Sequence, residues 1–511
     1  MTLPKTGKKL LTCTLFAIPL FSQFAHAQKF KISDALGKAK EVVGKVGPEP
    51  WKPGSAITTS IKDTLYGFSW IDHDYLQTAD ADSISSFDLK PGYYKARIRS
   101  YCLHAGVYGP SKGDGYQIAK LKGMKAAVVR NILEKSALHP EIAQQDVQKL
   151  IWGIEAGTKF SSYQPSFQLA IKPLLTEAEI AAMQVDFGKA AGKAVPAELR
   201  ETMATYASLR DKMQSSQAKY DEIEAIAVKT GVPPLGLGSK VINAGVWSYI
   251  GDGFYLKATP ESYPRTEIEL YRPAKIDVTK DSKNRVSTYS YEGRSVTIVY
   301  NDAAGADMLH VDGRKIPVWK IKSFKLKGNE AGQVLEVPVN DWLFRGNMAE
   351  FTSLISNAPV AKGQQGHGPS SPEELLASYG LPGDPVWQDV KQRYDRTKKW
   401  LDRYEEYKGY VDEYEDMKNP PKLDDYIEEA AVNESIYEAL KAALNPLDKK
   451  GQMTWIRKNL RMTLDMMFYS ICQLRGGCND NDPRKPDLPS NPAQPGNTSR
   501  QRIGLSPYKA N

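Results

Sequence analysis

Cys102 is the residue of this 511-residue chain on which covalent chemistry can most readily be built, because it is a cysteine left over after the others are accounted for. Of the four cysteines, Cys13 lies in an apolar N-terminal run. Cys472 and Cys478 stand six apart around Gly476-Gly477, where the chain can turn back, so a local disulfide is their simplest pairing. A leftover cysteine can be an inert buried thiol, half of a mixed disulfide, the nucleophile of a hydrolase or an acyl carrier. A hydrolase needs a histidine base, and His104, His139 and His310 are the candidates; His104 would share a strand face with Cys102 if the strand continued. An acyl carrier needs a carbonyl donor. Gln148, forty-six residues on, sits in Asp146-Val-Gln-Lys-Leu-Ile-Trp152, where helical spacing places Gln148, Ile151, Trp152 and Glu155 on one side. A thiolate attacks an amide only if the two groups are held together where water is scarce and the oxyanion is stabilised. Trp152 can lie over the glutamine, and backbone amides of the loop from Gly106 to Gly115 are the expected oxyanion donors. The plainer alternative makes Gln148 an ordinary helix residue beside a core tryptophan.

The two segments resemble the signatures of the bacterial internal thioester domain of surface adhesins, an aromatic-Cys-apolar segment and an apolar-Gln-x-apolar-Ile-Trp segment, over about residues 60–190. The resemblance implies a bond between the Cys102 sulfur and the Gln148 side-chain carbonyl, formed with loss of ammonia and shielded by Tyr101 and Trp152. It further implies that this bond acylates an amine-bearing ligand on a protein or glycan surface, in cell adhesion, without a cofactor. The family commonly places a longer insert between its cysteine and glutamine.

The elements that must position this pair are legible from periodicity. Tyr94 to Leu103 alternates as a strand, with Tyr94, Ala96, Ile98, Ser100 and Cys102 on one face and Lys95, Arg97 and Arg99 on the other. Ile142, Val147, Leu150, Ile151 and Ile154 form the apolar stripe of the helix that carries Gln148. Residues 31–45 predict a short amphipathic helix, and Pro196 to Lys229 a long solvent-facing helix or hairpin. The organisation expected is α+β and multidomain: a mixed α/β thioester-like region over 28–231, a central β-sandwich over 232–346, a linker over 347–371, a C-terminal helical bundle over 372–477 and a disordered tail over 478–511. In the bundle, aromatic residues from Tyr394 to Tyr414 recur at helical spacing and read as core, with Tyr437, Trp455 and Phe468 as partners.

The beginning of the chain predicts a compartment. Lys5, Lys8 and Lys9 precede an apolar run from Leu10 to Phe21 and then Ala25-His26-Ala27, which reads as a signal peptide over 1–27 cleaved before Gln28. The mature protein is expected to be secreted, periplasmic or at the cell envelope, with no transmembrane segment. Cleavage removes three lysines and no acids, lowering the formal charge from +8 to +5. That mild bias, with no dense Lys/Arg patch interleaved with aromatics, argues against nucleic acid. Gly113-Asp114-Gly115 lacks the spacing of a phosphate loop or an EF-hand, and no His/Cys/Asp cluster has metal-ligand spacing. Besides the adhesin, a noncatalytic binding or structural protein of the envelope and a cysteine hydrolase stay open.

Overall fold

A computed structural model of the chain describes residues 67–68, 78–80, 89–110, 115–184, 197–215, 217–232, 245–311, 314–329, 334–346, 350–351, 353–354, 386, 388–390, 392–395, 423–444, 450–474, 484–488, 493–495 and 501–509. The chain divides into two compact units, Met1–Glu49 and Pro50–Asn511, and every described residue lies in the second. The expected signal peptide, the helix at 31–45, most of the linker and Cys478 lie outside the described residues.

The class is α+β. Strands β1 (Gly67–Phe68), β2 (Thr78–Asp80), β3 (Gly92–Cys102), β4 (Val107–Tyr108) and β5 (Tyr116–Ile118) precede helices α1 (Ala126–Leu138), α2 (Gln144–Ala156), α3 (Pro165–Ile171), α4 (Glu177–Met183), α5 (Ala197–Gln214) and α6 (Tyr220–Ala227). Next come β6 (Val228–Lys229), β7 (Trp247–Gly251), β8 (Phe254–Ser262), β9 (Arg265–Arg272), β10 (Asp277–Lys280), β11 (Val286–Tyr291), β12 (Arg294–Tyr300), β13 (Met308–Val311), β14 (Arg314–Lys327) and β15 (Val334–Phe344). The last elements are α7 (Leu423–Ala443), α8 (Lys450–Leu474), β16 (Ala493–Pro495) and β17 (Ile503–Lys509).

β3 lies at the centre of a nine-stranded sheet ordered β1-β7-β8-β9-β3-β17-β16-β5, with β2 parallel beside it. It pairs antiparallel with β9 from Gly92↔Arg272 to Arg99↔Arg265, and with β17 from Cys102↔Ile503. β10, β11, β12, β14, β13 and β15 make a second, antiparallel sheet of six strands. The sequence expectation of one sandwich over 232–346 thus meets a different division, since β7, β8 and β9 join the sheet of β3 and the rest form the second. Hydrogen bonding explains it: β3 needs a partner on each side, and β9 supplies one across a span of chain that composition cannot bridge.

The tail is the clearest correction. Asn, Asp, Pro and Ser after Cys478 predicted a disordered segment, yet β16 and β17 are strands and Gln501 to Ser506 are buried. The apolar pair Ile503 and Leu505 is too short to outweigh that composition in a window average. In the fold it completes the sheet and buries both side chains fully. Gly504 is required there, because a Cβ would come within 2.9 Å of Leu103 and 3.1 Å of Leu133.

Two of the four hydrophobic cores among the described residues frame the site and its surroundings. One packs β7–β9 residues Trp247, Tyr255 and Tyr271 together with the six-stranded sheet and the inner faces of α7 and α8. The other is built by the end of β3, α1, α2 and the pair α5–α6. Residues 197–229 are therefore a hairpin, and it faces inward as well as outward: Tyr206, Leu209 and Ile223 are buried in that second core. No helix among the described residues is long and apolar enough to cross a membrane.

Candidate functional site

The end of β3 is where the sheet stops supplying partners. Its pairing with β9 ends at Arg99, after which the Ser100 N–H donates to the Pro264 carbonyl (3.1 Å). On the opposite side, the Leu103 N–H donates to the Arg502 carbonyl (2.8 Å). Backbone groups of successive strand residues point to opposite sides, so the N–H and C=O of Cys102 turn away from β17, toward the side that β9 has left. Those groups would be orphaned in a dry interior.

Two glutamines one turn apart on α2 fill the gap. Gln144 Nε2 donates to the carbonyls of Pro264 (2.7 Å) and Ser100 (3.2 Å). Gln148 Oε1 accepts the Cys102 N–H (2.8 Å), and its Nε2 donates to the Cys102 carbonyl (3.0 Å). The side-chain amide of Gln148 takes the place of a strand residue, and both Cys102 and Gln148 are withdrawn from water, at 0% and 1% exposure.

The electrostatics around the sulfur run in one direction. Burial pushes the Cys102 thiol well up, the Glu155 and Glu224 carboxylates add to that, and the Trp152 indole N–H works against them. That indole nitrogen is buried, and its N–H serves the sulfur with no other hydrogen-bond partner. Glu155, two turns beyond Gln148 and one beyond Trp152 on the same face of α2, is wholly buried. Its Oε2 accepts the Ala105 N–H (2.8 Å) and its Oε1 accepts the Tyr206 hydroxyl. Burial pushes the carboxyl up to about 8 despite those two bonds.

Aromatic rings close the outer side. Tyr220 stacks on Trp152 with centroids 5.9 Å apart and planes 25° apart, and Tyr263 meets the same indole at 6.0 Å. The two hydroxyls lie 2.8 Å apart, and that of Tyr263 donates to Glu224.

The sequence singled out Cys102, Gln148 and Trp152, and the fold brings all three together. Tyr101 is fully buried, but strand alternation directs it to the face opposite Cys102, where it does not cover the sulfur. The loop amides proposed as oxyanion donors are engaged elsewhere: the Gly106 N–H donates to the Ala227 carbonyl (2.7 Å) and the Gly109 N–H to that of Lys229 (3.0 Å), while residues 111–114 lie outside the described residues. None of the histidines is among the groups that perturb the thiol, and His139 pairs with Glu141 (2.8 Å). Cys102 is the free cysteine among the described residues; Cys472 is buried on α8. Among the described residues no group of His, Cys, Asp and Glu could hold a metal ion. Glu224, Tyr220 and Tyr263 were missed, because they reach the site from α6 and the β8–β9 turn, which have no motif in common with it. No protein-family model, no curated protein and no solved structure matches this chain.

Proposed function

We propose that Cys102 and Gln148 form an internal thioester with which an exported protein captures amine-bearing ligands on a protein or glycan surface. The observation that carries the reading is the pair of hydrogen bonds between the Gln148 amide and the Cys102 backbone, which registers the amide against the cysteine in a water-free site. In the forming step the sulfur bonds to the Gln148 side-chain carbonyl carbon, the C–N bond breaks, and the thiol proton leaves with the nitrogen as ammonia. In the capturing step an amine nitrogen bonds to that carbon, the C–S bond breaks, and the proton lost by the amine restores the thiol. Glu155, held near pH 8, is a local group able to take up and return a proton around neutrality. The Trp152 N–H at the sulfur is available to a developing negative charge there. An uncharged thioester also suits a site that penalises the thiolate.

A second reading has its own observation. Gln501 grips His104 in the same manner, accepting its N–H (2.8 Å) and donating to its carbonyl (2.6 Å), so a side-chain amide in this fold can serve only to finish a strand. On that reading the protein is a noncatalytic binding or structural component of the envelope. A cysteine hydrolase has less in its favour, because its nucleophile needs a lowered pKa and burial with two carboxylates raises this one.

Peptide mass mapping of the mature chain with and without methylamine, alongside Cys102→Ala, separates these readings. Methylamine on Gln148 only when Cys102 is present supports the thioester. An unmodified Gln148 and a titratable Cys102 thiol would leave the structural reading. Whole-protein mass would mislead, since an N-terminal Gln28 also loses ammonia by cyclising.

A further inference from the structure

The groups that act on the Cys102 sulfur differ in how far they are from water. Glu155, Trp152, Gln148 and Tyr116 are buried, whereas Tyr220 and Glu224 are half-buried and reach the surface. Tyr263 reaches it too, from the β8–β9 turn. The short way from solvent to the thiol therefore passes the Tyr220–Tyr263 pair and the Glu224 carboxylate.

The two rings are mounted differently. The turn bearing Tyr263 is pinned, with its carbonyl accepting from Ser100 Oγ (2.9 Å) and the Pro264 carbonyl accepting from Gln144 (2.7 Å). Tyr220 is the first residue of α6, and the exposed residues Gln217 and Lys219 precede it. Tyr263 is a fixed jamb; Tyr220 is the ring that can swing, at the cost of its stacking on Trp152 and one hydroxyl contact.

The charge is incomplete at this place. Among the described residues Glu224 has no cationic partner; it accepts from the Tyr263 hydroxyl, and its charge acts on the Tyr220 phenol and the Cys102 thiol. A carboxylate that accepts from the Tyr263 hydroxyl, beside the Tyr220–Tyr263–Trp152 ring cluster, is an environment in which an alkylammonium is bound by charge-assisted hydrogen bonding.

We propose that Glu224, Tyr220 and Tyr263 form the gate to Cys102 and Gln148 and select a primary alkylammonium, such as a lysine side chain, as the group admitted. The proposal rests on the thioester reading for its biological meaning and on the geometry above for its selectivity. Glu224 draws the cation to the gate, Tyr220 turns aside, and the amine reaches the Gln148 carbonyl carbon after releasing its proton.

The test uses the full mature chain and two probes of opposite charge character. In wild type, methylamine and the neutral nucleophile hydroxylamine are each incorporated at Gln148 and followed by peptide mass. Glu224→Gln is expected to slow methylamine about tenfold, the size of one lost charge-assisted contact, and to leave hydroxylamine unchanged. Tyr220→Ala is expected to speed both. Equal slowing of both probes by Glu224→Gln, or no slowing of either, overturns the gate. If wild type shows no ammonia loss, the thioester reading fails by itself, and the free Cys102 thiol is then probed with cationic and neutral methanethiosulfonates. The same Glu224-dependent preference for the cationic reagent upholds the gate, and equal rates or no reaction with either reagent overturn it.

Discussion

Two buried polar clusters in this protein solve the same problem in different ways. Where α8 packs on the nine-stranded sheet, Asp465 accepts the Tyr271 hydroxyl and has Arg461 one turn away at 3.6 Å, with the guanidinium 5.5 Å from the Tyr271 ring. Burial raises the Asp465 carboxyl and Arg461 draws it back down. Nearby, Lys257 and Glu269 stand opposite each other on β8 and β9 and form a buried ion pair. Each acid there has a base. Around Cys102 the acids have none among the described residues: Glu155 is held by a tyrosine hydroxyl and a backbone N–H, and Glu224 by a tyrosine hydroxyl. Asp465 is raised as well, but its cation stands beside it; around Cys102 a raised carboxyl and a raised thiol have a single indole donor between them, the condition of groups poised to exchange protons.

The contrast can be broken most severely by ending the chain at residue 500. Loss of β17 uncovers Leu103 and the edge of β3, so Cys102, protected in the full chain, is expected to be alkylated by iodoacetamide without denaturant, while Trp247 in the other core keeps its folded fluorescence. Loss of both signals together would show that the two regions unfold as one.

Arg461→Leu strikes the paired cluster. It leaves Asp465 buried beside Tyr271 without a cation, and is expected to cost about 3–5 kcal/mol, read as a lowered urea midpoint. A change below ~1 kcal/mol would mean that Asp465 is protonated in the native state and the pairing is incidental.

Gln148→Leu should cost less, about 2–3 kcal/mol, because it strands the N–H and C=O of Cys102 without creating a charge. Urea titration measures it, and a near-neutral result would show that water or β9 can replace the amide.

The most specific effect is in pH. The Glu155 carboxyl is raised from 4.5 to about 8, so between those values the folded protein holds a proton that the unfolded chain has released. Stability is accordingly expected to fall as pH rises through that window, by at most about 1.4 kcal/mol per unit, and to level off above about 8. Glu155→Gln should flatten this slope. An unchanged slope would assign the titration to another group.

Much of the site was legible before the fold. Alternation placed Cys102 on the apolar face of a strand, and 3.6-residue spacing placed Gln148, Trp152 and Glu155 on one face of α2. What could not be read was the company those residues keep. Tyr206 and Glu224 come from α5 and α6, Tyr263 from a turn in the sheet, and Arg502 from the last ten residues of the chain.

The sequence by itself determined the local elements around the site and singled out Cys102 and Gln148 as a candidate pair, because periodicity and side-chain type act over a few residues. Only the tertiary structure decided that β17 completes the sheet beside Cys102, that the 232–346 strands are shared between two sheets, and that two carboxylates without cations face the thiol. Those outcomes depend on which distant strand satisfies an open backbone edge and on what burial does to a charge, and both are set by the whole packed chain.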